Sequence, residues 1–305
     1  MALAEPVEAA PPGPTASTDA AGLGRARAWL FVAPGLVLVA IFLVFPALWT
    51  IYLGTTNYEL LGERKVSPEF VGLDNYTDTL ADPEFHDSVV KTLLFVFGSA
   101  LVGQMCLGFA IAWMLRTAGV WVRRTVETVV LMAWILPGSI VGFLWYAFLS
   151  EDDGTLNAIL PVGDSAWLVE HPMWSIVIFN TWRGTAFSML LFTAALATVP
   201  PSQLETARLS GAGGWQQLRD VVLPNIRGHI LTNALLISLW TFNDFTPFLI
   251  TGGEGSEILP IYIYKTALTG QQQLGLASAV SLIVLLINLV VALAYLAMLR
   301  RRRVR

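Results

Sequence analysis

The sequence predicts an all-α, polytopic membrane protein with six transmembrane helices, and three observations carry that expectation. The 305 residues are 55% hydrophobic and only 13% charged, about half the charged fraction of an ordinary soluble domain. Six apolar runs appear, at about 28–53, 89–115, 125–149, 174–199, 229–250 and 275–299, each close to the roughly twenty residues that cross a hydrocarbon core. The arginines, finally, gather in alternate connecting segments.

Residues 1–27 precede the first run. They are rich in Ala, Pro and Gly with few large apolar side chains, the composition of a disordered tail. A cleaved signal peptide would need a short apolar core directly after its charged region. Here the tail is long and the run after it can span, so the expectation is an uncleaved tail and a first transmembrane helix. The run at 125–149 carries Glu127 at its start and Pro137-Gly138 in its middle. Proline breaks the hydrogen-bond ladder, so a kinked helix is expected there, with neighbours satisfying the freed backbone groups.

Orientation follows from the basic residues. With both termini cytoplasmic, the inner segments hold Arg25, Arg27, Arg116, Arg123, Arg124, Arg208, Arg219, Arg227, Arg300, Arg301, Arg302, Arg303 and Arg305, most of the chain's 18 basic residues. The outer segments hold Arg64, Lys65, Lys91 and Lys265, and are otherwise acidic, with Asp74, Asp78, Asp82, Glu84, Asp87 and Glu151–Asp153. A multi-pass protein of a bacterial plasma membrane is expected, with 200–228 inside. The arginines at 300–305 read as a stop-transfer and headgroup anchor.

Several function classes are excluded by what is missing. Cys106 is the sole cysteine, so neither an intrachain disulfide nor a cysteine metal cluster can form. His86, His171 and His229 are far apart and none lies in a HExxH motif; no metal site and no cofactor are expected. Lys65, Lys91 and Lys265 do not follow a phosphate-binding glycine loop, so any ATP is bound by another chain. An intramembrane enzyme lacks GxSxG or a paired acidic motif in the runs. A non-transporting membrane scaffold is the other alternative.

Residues 200–228 form a polar island between two apolar runs. Pro200-Pro201 stops the preceding helix. Ser202 and Glu205 have capping-box spacing, and Leu204, Ala207 and Gly211 follow at helical intervals. Gly213-Gly214 frees the backbone to turn. Trp215, Leu218 and Val222 then restart an amphipathic helix that Pro224 is expected to close. Two short helices around a glycine elbow suggest a knob offered to a partner.

In that register Glu205, Ala207, Gly211, Ala212, Leu223 and Pro224 resemble the EAA loop of permease subunits from binding-protein-dependent ABC importers. The sequence departs from the family pattern at Thr206, Ser210, Leu218 and Gly228. The resemblance extends over about 30–299. Pro34, Pro46 and Phe70–Tyr76 look like the maltose/glycerol-phosphate-type sugar permeases, as do Leu136-Pro137, Trp145, Thr251–Gly253 and Gly275–Ala279, although Phe245 is followed by Thr246 rather than Asp. What the resemblance implies is a cytoplasmic coupling loop made by those six residues. It further implies a second permease subunit, two copies of an ATP-binding subunit, an extracytoplasmic solute-binding protein and the lipid bilayer as partners, with no nucleic acid. The substrate it implies is a sugar or related solute.

Polar groups in hydrocarbon are costly and usually face a bundle interior or a water-filled path. Gln104, Asn180, Arg183, Asn243, Asp244 and Asn288 fall within the runs. Arg183 would lie roughly 14 Å and Asp244 roughly 9 Å below the outer ends of their helices at 1.5 Å per residue. Asn180, Trp182, Arg183, Asn243 and Asp244 are therefore the substrate-path candidates, amides and carboxylate for hydroxyls and the indole for a sugar face. A buried Arg183–Asp244 pair that merely locks two helices is the other reading, and both stay open. Trp145 and Tyr146 read as interfacial anchors.

Overall fold

The computed structural model describes residues 25–160, 165–269 and 272–303. The tail expected at 1–27 lies outside the described residues up to 24, and helix begins at Arg25. Among the described residues every regular element is a helix, and an isolated antiparallel bridge joins Thr56 to Phe70. It divides into a unit ending at Trp49 and a unit from Thr50 onward.

The described part of the first unit, from Arg25, is a single helical run. Trp29–Leu53 is long and apolar enough to span a membrane, and none of its most apolar window is buried by protein. A π-type turn at Ala40–Val44 precedes Pro46. Proline leaves the carbonyl four residues back without a donor; a π turn pairs i with i+5, so the carbonyl of Phe42 can be met from one residue further on.

In the second unit, Pro83–Leu115 and Leu274–Arg300 also meet the length and apolarity of a span. Two further stretches meet it only as bent pairs, Val120–Ile135 with Gly138–Leu149 at 99° and Pro172–Ala197 with Pro201–Leu209 at 74°. By that measure there are three spanning helices, or up to five if each pair counts once. The first bend is sharper than the kink expected at Pro137. Leu136 (ψ 138°) and Pro137 (ψ 136°) have both left helical geometry, as the residue before a proline is pushed to do.

The run expected at 229–250 is also interrupted. Helix Leu223–Phe242 ends at Asn243, and a short helix, Phe248–Thr251, follows Pro247 and stops at Gly252 in the left-handed region (φ 64°). Asp244 is the cause: its Oδ1 accepts the Thr246 N–H at 2.9 Å, the side-chain competition that takes Asp out of helices. Asp244 therefore stands on a turn, and a depth counted along a continuous helix does not apply to it.

Glycines set the closest helix packing. Pro83–Leu115 lies against Pro172–Ala197, and a Cβ at Gly108 would come within 2.6 Å of the Ser188 Cβ, while one at Gly103 would overlap the Thr181 side chain. Small residues at helix crossings are how membrane helices approach without a hydrophobic driving force. A cluster of Phe85, Val96, Ala100, Ile237, Phe242, Leu259, Tyr262 and Val280 fills one end of the unit, and Ala112, Leu115, Met189, Phe192, Val222 and Ile226 fill the other. Above the first cluster Tyr262 Oη donates to Asp82 Oδ2 at 2.5 Å, joining helix Leu259–Leu268 to the start of Pro83–Phe95. Burial, then that hydrogen bond, raises the Tyr262 pKa above its ordinary value.

Candidate functional site: a polar cavity and a glycine elbow

Two helices present the same spacing to one cavity. Asn180, Arg183, Gly184 and Phe187 come from Pro172–Ala197, and Ile237, Trp240, Thr241 and Asp244 from the end of Leu223–Phe242 and the turn after it. Each set is i, i+3, i+4, i+7, one face of a helix. Gln104 and the pair Trp134–Ile135 complete a space of about 430 Å³, within the range of small-molecule sites.

The floor is a hydrogen-bonded amide network. Asn180 Nδ2 donates to Ser99 Oγ (2.6 Å) and Thr241 Oγ1 (3.2 Å), and the Asn180 backbone carbonyl accepts from Gln104 Nε2 (3.0 Å). Gln104 reaches that carbonyl because residue 184 is glycine; a Cβ there would overlap the Gln104 amide. Both amides are buried, so the network joins three helices as well as lining the cavity.

Charge sits on the wall. Arg183 Nη1 donates to Thr246 Oγ1 at 3.0 Å and lies 4.0 Å from Asp244 Oδ2. The pair is close without a direct charge-assisted hydrogen bond, and Arg183 Nε is buried with no protein partner. The opposite wall is aromatic. Trp134, Phe187 and Trp240 touch pairwise, with ring centroids 5.7–5.8 Å apart. The cavity thus offers amides, a carboxylate and a guanidinium beside an indole surface.

Of the path residues expected from sequence, Asn180, Arg183 and Asp244 meet here and two do not. Trp182 is 43% exposed and packs beside Trp145, centroids 5.7 Å apart. Asn243 pairs amide to amide with Asn288 at 3.4 Å. Trp134 and Phe187 escaped the sequence reading. Phe187 could have been found, since it completes the helical stripe begun by 180, 183 and 184; Trp134 stands on another helix, Val120–Ile135, whose place beside the cavity no local spacing gives.

The second feature is the elbow after Pro200. Helix Pro201–Leu209 has Pro200 as its N-cap and no side-chain cap. The Ser202–Glu205 capping box is therefore not formed: proline at the first helical position needs no donor and starts the helix a residue early, which puts Ser202 inside it. Glu205 is exposed. A reaching side chain appears instead at the next turn, where Gln216 Oε1 accepts the Gly213 N–H at 2.9 Å.

The helix ends in a Schellman motif. Ala212 N–H bonds the Ala207 carbonyl (2.9 Å), Gly211 N–H bonds the Arg208 carbonyl (3.0 Å), and Gly211 takes φ +81°. That left-handed residue is the motif's requirement, and glycine meets it without steric cost. Three of the six coupling candidates, Ala207, Gly211 and Ala212, are among the residues that make this turn.

The remaining two of the loop's second arm, Leu223 and Pro224, lie in continuous helix. Pro224 does not close the helix as expected. A π turn at Gln217–Val222 precedes it, and Asn225 Nδ2 caps the Val221 carbonyl at 2.7 Å. The same amide donates to Gln203 Oε1 at 2.8 Å, tying the elbow's arms together. Leu204, Leu218 and Val221 pack the elbow onto the cluster around Val222 and Ile226. Leu209 and Trp215, 90% and 70% exposed, flank the tip. At its base burial, and then the neighbouring charge of Arg208, lower the Arg116 pKa.

An all-helical chain with several spans, a polar cavity among them and a bent elbow at the end of one is a membrane-embedded transport subunit in build. Residues 104–304 match the model of the binding-protein-dependent transport system inner membrane component, and the chain belongs to that family: it is a permease subunit of an ABC importer. It is 27% identical over 286 residues to a probable starch degradation products transport system permease protein, AmyD, of Thermoanaerobacterium thermosulfurigenes, covering 90% of this chain and 94% of that one. It is 28% identical over 274 residues to the sn-glycerol-3-phosphate transport system permease protein UgpA of Agrobacterium fabrum, covering 87% and 91%. The inner membrane ABC transporter permease protein YcjO of Escherichia coli is 29% identical over 276 residues, covering 87% and 92%. A chain in the crystal structure of a bacterial ABC transporter involved in import of the acidic polysaccharide alginate superposes with a TM-score of 0.76 at 24% identity, covering 90% and 96%; that likeness speaks for the fold.

Proposed function

We propose that this permease forms half of the translocation path for a sugar or related polyol. The observation that carries the reading is the cavity of Gln104, Asn180, Arg183, Asp244 and the Trp134–Phe187–Trp240 wall. Amides and a carboxylate match hydroxyl groups, and flat aromatic surface matches the apolar face of a sugar ring. The relatives named for starch products and a glycerol phosphate support the same class. Trp182 and Asn243, which face elsewhere, act in packing.

The chain works with a second permease subunit, two copies of an ATP-binding subunit and an extracytoplasmic solute-binding protein. It crosses the bilayer six times, with both termini and 200–228 cytoplasmic, as its arginine distribution supports. Glu205, Ala207, Gly211, Ala212, Leu223 and Pro224 belong to the elbow that docks on the ATP-binding subunit. Closure of the two ATP-binding subunits pulls on that elbow, and the rigid turn passes the movement to helix Pro172–Ala197 and to Leu223–Phe242, both of which line the cavity. Co-assembly with the cognate ATP-binding subunit tests this: solute-loaded binding protein should stimulate nucleotide hydrolysis only when this chain is present. Stimulation without it would remove the proposal.

A further inference from the structure

Helix Leu223–Phe242 packs against Leu274–Arg303 through its C-terminal part, where Ile237 and Phe242 share a cluster with Val280 and Val284. Asn243 meets Asn288 at 3.4 Å, and Ser238 Oγ meets Tyr295 Oη at 3.4 Å. Beyond Tyr295 they part and leave an open groove of about 570 Å³. Arg227, His229 and Arg300 line it together with Leu231, Leu296 and Leu299. Gly228 stands at its wall with nothing within 4 Å of where a Cβ would be.

We infer that this groove binds an anionic phospholipid, its phosphate between Arg227 and Arg300 and its acyl chains along the leucines. Among the described residues neither arginine has a carboxylate within the 4.0 Å that defines an ion pair, so the positive charge there awaits a counter-ion. The leucines select among anions. A soluble phosphate leaves that apolar lining wet, whereas a lipid covers it. The exposed row Leu285, Leu286, Leu289, Val290, Leu293 and Leu296 leads along the same helix toward the groove, and that helix is long and apolar enough to span. Headgroup charge and hydrocarbon therefore meet the protein in the order in which a lipid presents them.

The groove also borders the elbow. Asn225 is part of its lining and is the residue that ties Leu223–Phe242 to Gln203 across the elbow. A seated lipid braces that tie. The inference rests on the proposed topology, in which this end of both helices is at the inner membrane surface. It does not depend on what the cavity transports.

The test uses the full-length chain in nanodiscs of phosphatidylcholine with or without phosphatidylglycerol, read by native mass spectrometry for retained lipid and by thermal unfolding. Phosphatidylglycerol should be retained and should raise the melting temperature. Near a membrane surface each basic residue contributes about 1 kcal/mol, so Arg227→Gln or Arg300→Gln should each weaken retention about fivefold and the pair about 30-fold. Gly228→Leu should abolish retention by filling the groove with both arginines in place. Arg219→Gln, which removes an exposed arginine on the elbow, should change nothing. Melting in phosphatidylcholine alone should be the same for every variant, which establishes that they fold. Retention that survives the double substitution or Gly228→Leu overturns the site. An equal loss with Arg219→Gln would mean diffuse charge, and equal protection by inorganic phosphate would mean a soluble anion; either result also overturns it.

Discussion

Gly211 is where the elbow's shape depends most on one residue. Its φ of +81° lies in the left-handed region and nothing is within 4 Å of its Cβ position, so a substitution there meets backbone strain and no clash. An L-residue other than Asn or Asp pays roughly 1–2 kcal/mol in that region. If the ATP-binding subunit recognises only the Schellman turn, that cost lowers the competent population, and apparent affinity falls in proportion, by about 5- to 30-fold. Gly211→Ala should therefore weaken retention of the ATP-binding subunit by that factor in a quantitative pull-down, with membrane insertion unchanged. Gly211→Asn, which tolerates the left-handed region, should stay near wild type. Gly211→Arg adds bulk and charge at an open site and should abolish retention. The ordering Asn above Ala above Arg is the signature; Ala equal to or better than Asn would refute the conformational reasoning.

Further outcomes concern the rest of the molecule. Gly184→Ala displaces the Gln104 amide from the groove it occupies, leaving a buried polar partner unsatisfied at about 1–3 kcal/mol; detergent-solubilised protein should melt earlier, and an unchanged melt would mean that the amide network is not structural. Tyr262→Phe removes a hydrogen bond to a charged group, worth about 1.5–3 kcal/mol and seen as a lower melting temperature. Because the Tyr262 pKa is raised on folding, that stabilisation is complete below the phenol's ordinary pKa of about 10 and is lost only as pH climbs through the folded value; a wild-type melt that already loses it at neutral pH would contradict the assignment. For topology, with Cys106 replaced, an impermeant thiol reagent should label Asp78→Cys and Asp152→Cys in intact cells and spare Gln216→Cys. Labelling of Gln216→Cys from outside would reverse the orientation.

Fold class and family were legible because they rest on sums over many residues: apolar content, and a motif register spanning Glu205 to Pro224. Local geometry was less so, since single side chains compete with the pattern. Ser202 has capping spacing from Glu205, yet Pro201 claims the first helical position and pre-empts it. Pro224 should stop a helix, but the π turn at Gln217–Val222 absorbs the missing donor. Asp244 sits in an apolar run, yet its carboxylate takes a backbone N–H two residues on and turns the chain. The cavity was half visible. Polar type and depth in the runs mark Asn180, Arg183 and Asp244, but they do not say which way a side chain faces, and Trp182 and Asn243 meet Trp145 and Asn288 instead. Trp134 comes from a third helix, and the 99° bend after it is one that no pattern of residue types specifies.

The central claim is that the cavity is the path, and uptake by the assembled importer tests it most directly. Asp244→Asn removes the carboxylate's charge, and Trp240→Ala removes one face of the aromatic wall. With both variants present in the membrane at wild-type levels and retaining the ATP-binding subunit, uptake of the radiolabelled sugar should fall. Wild-type uptake by both variants would contradict the account.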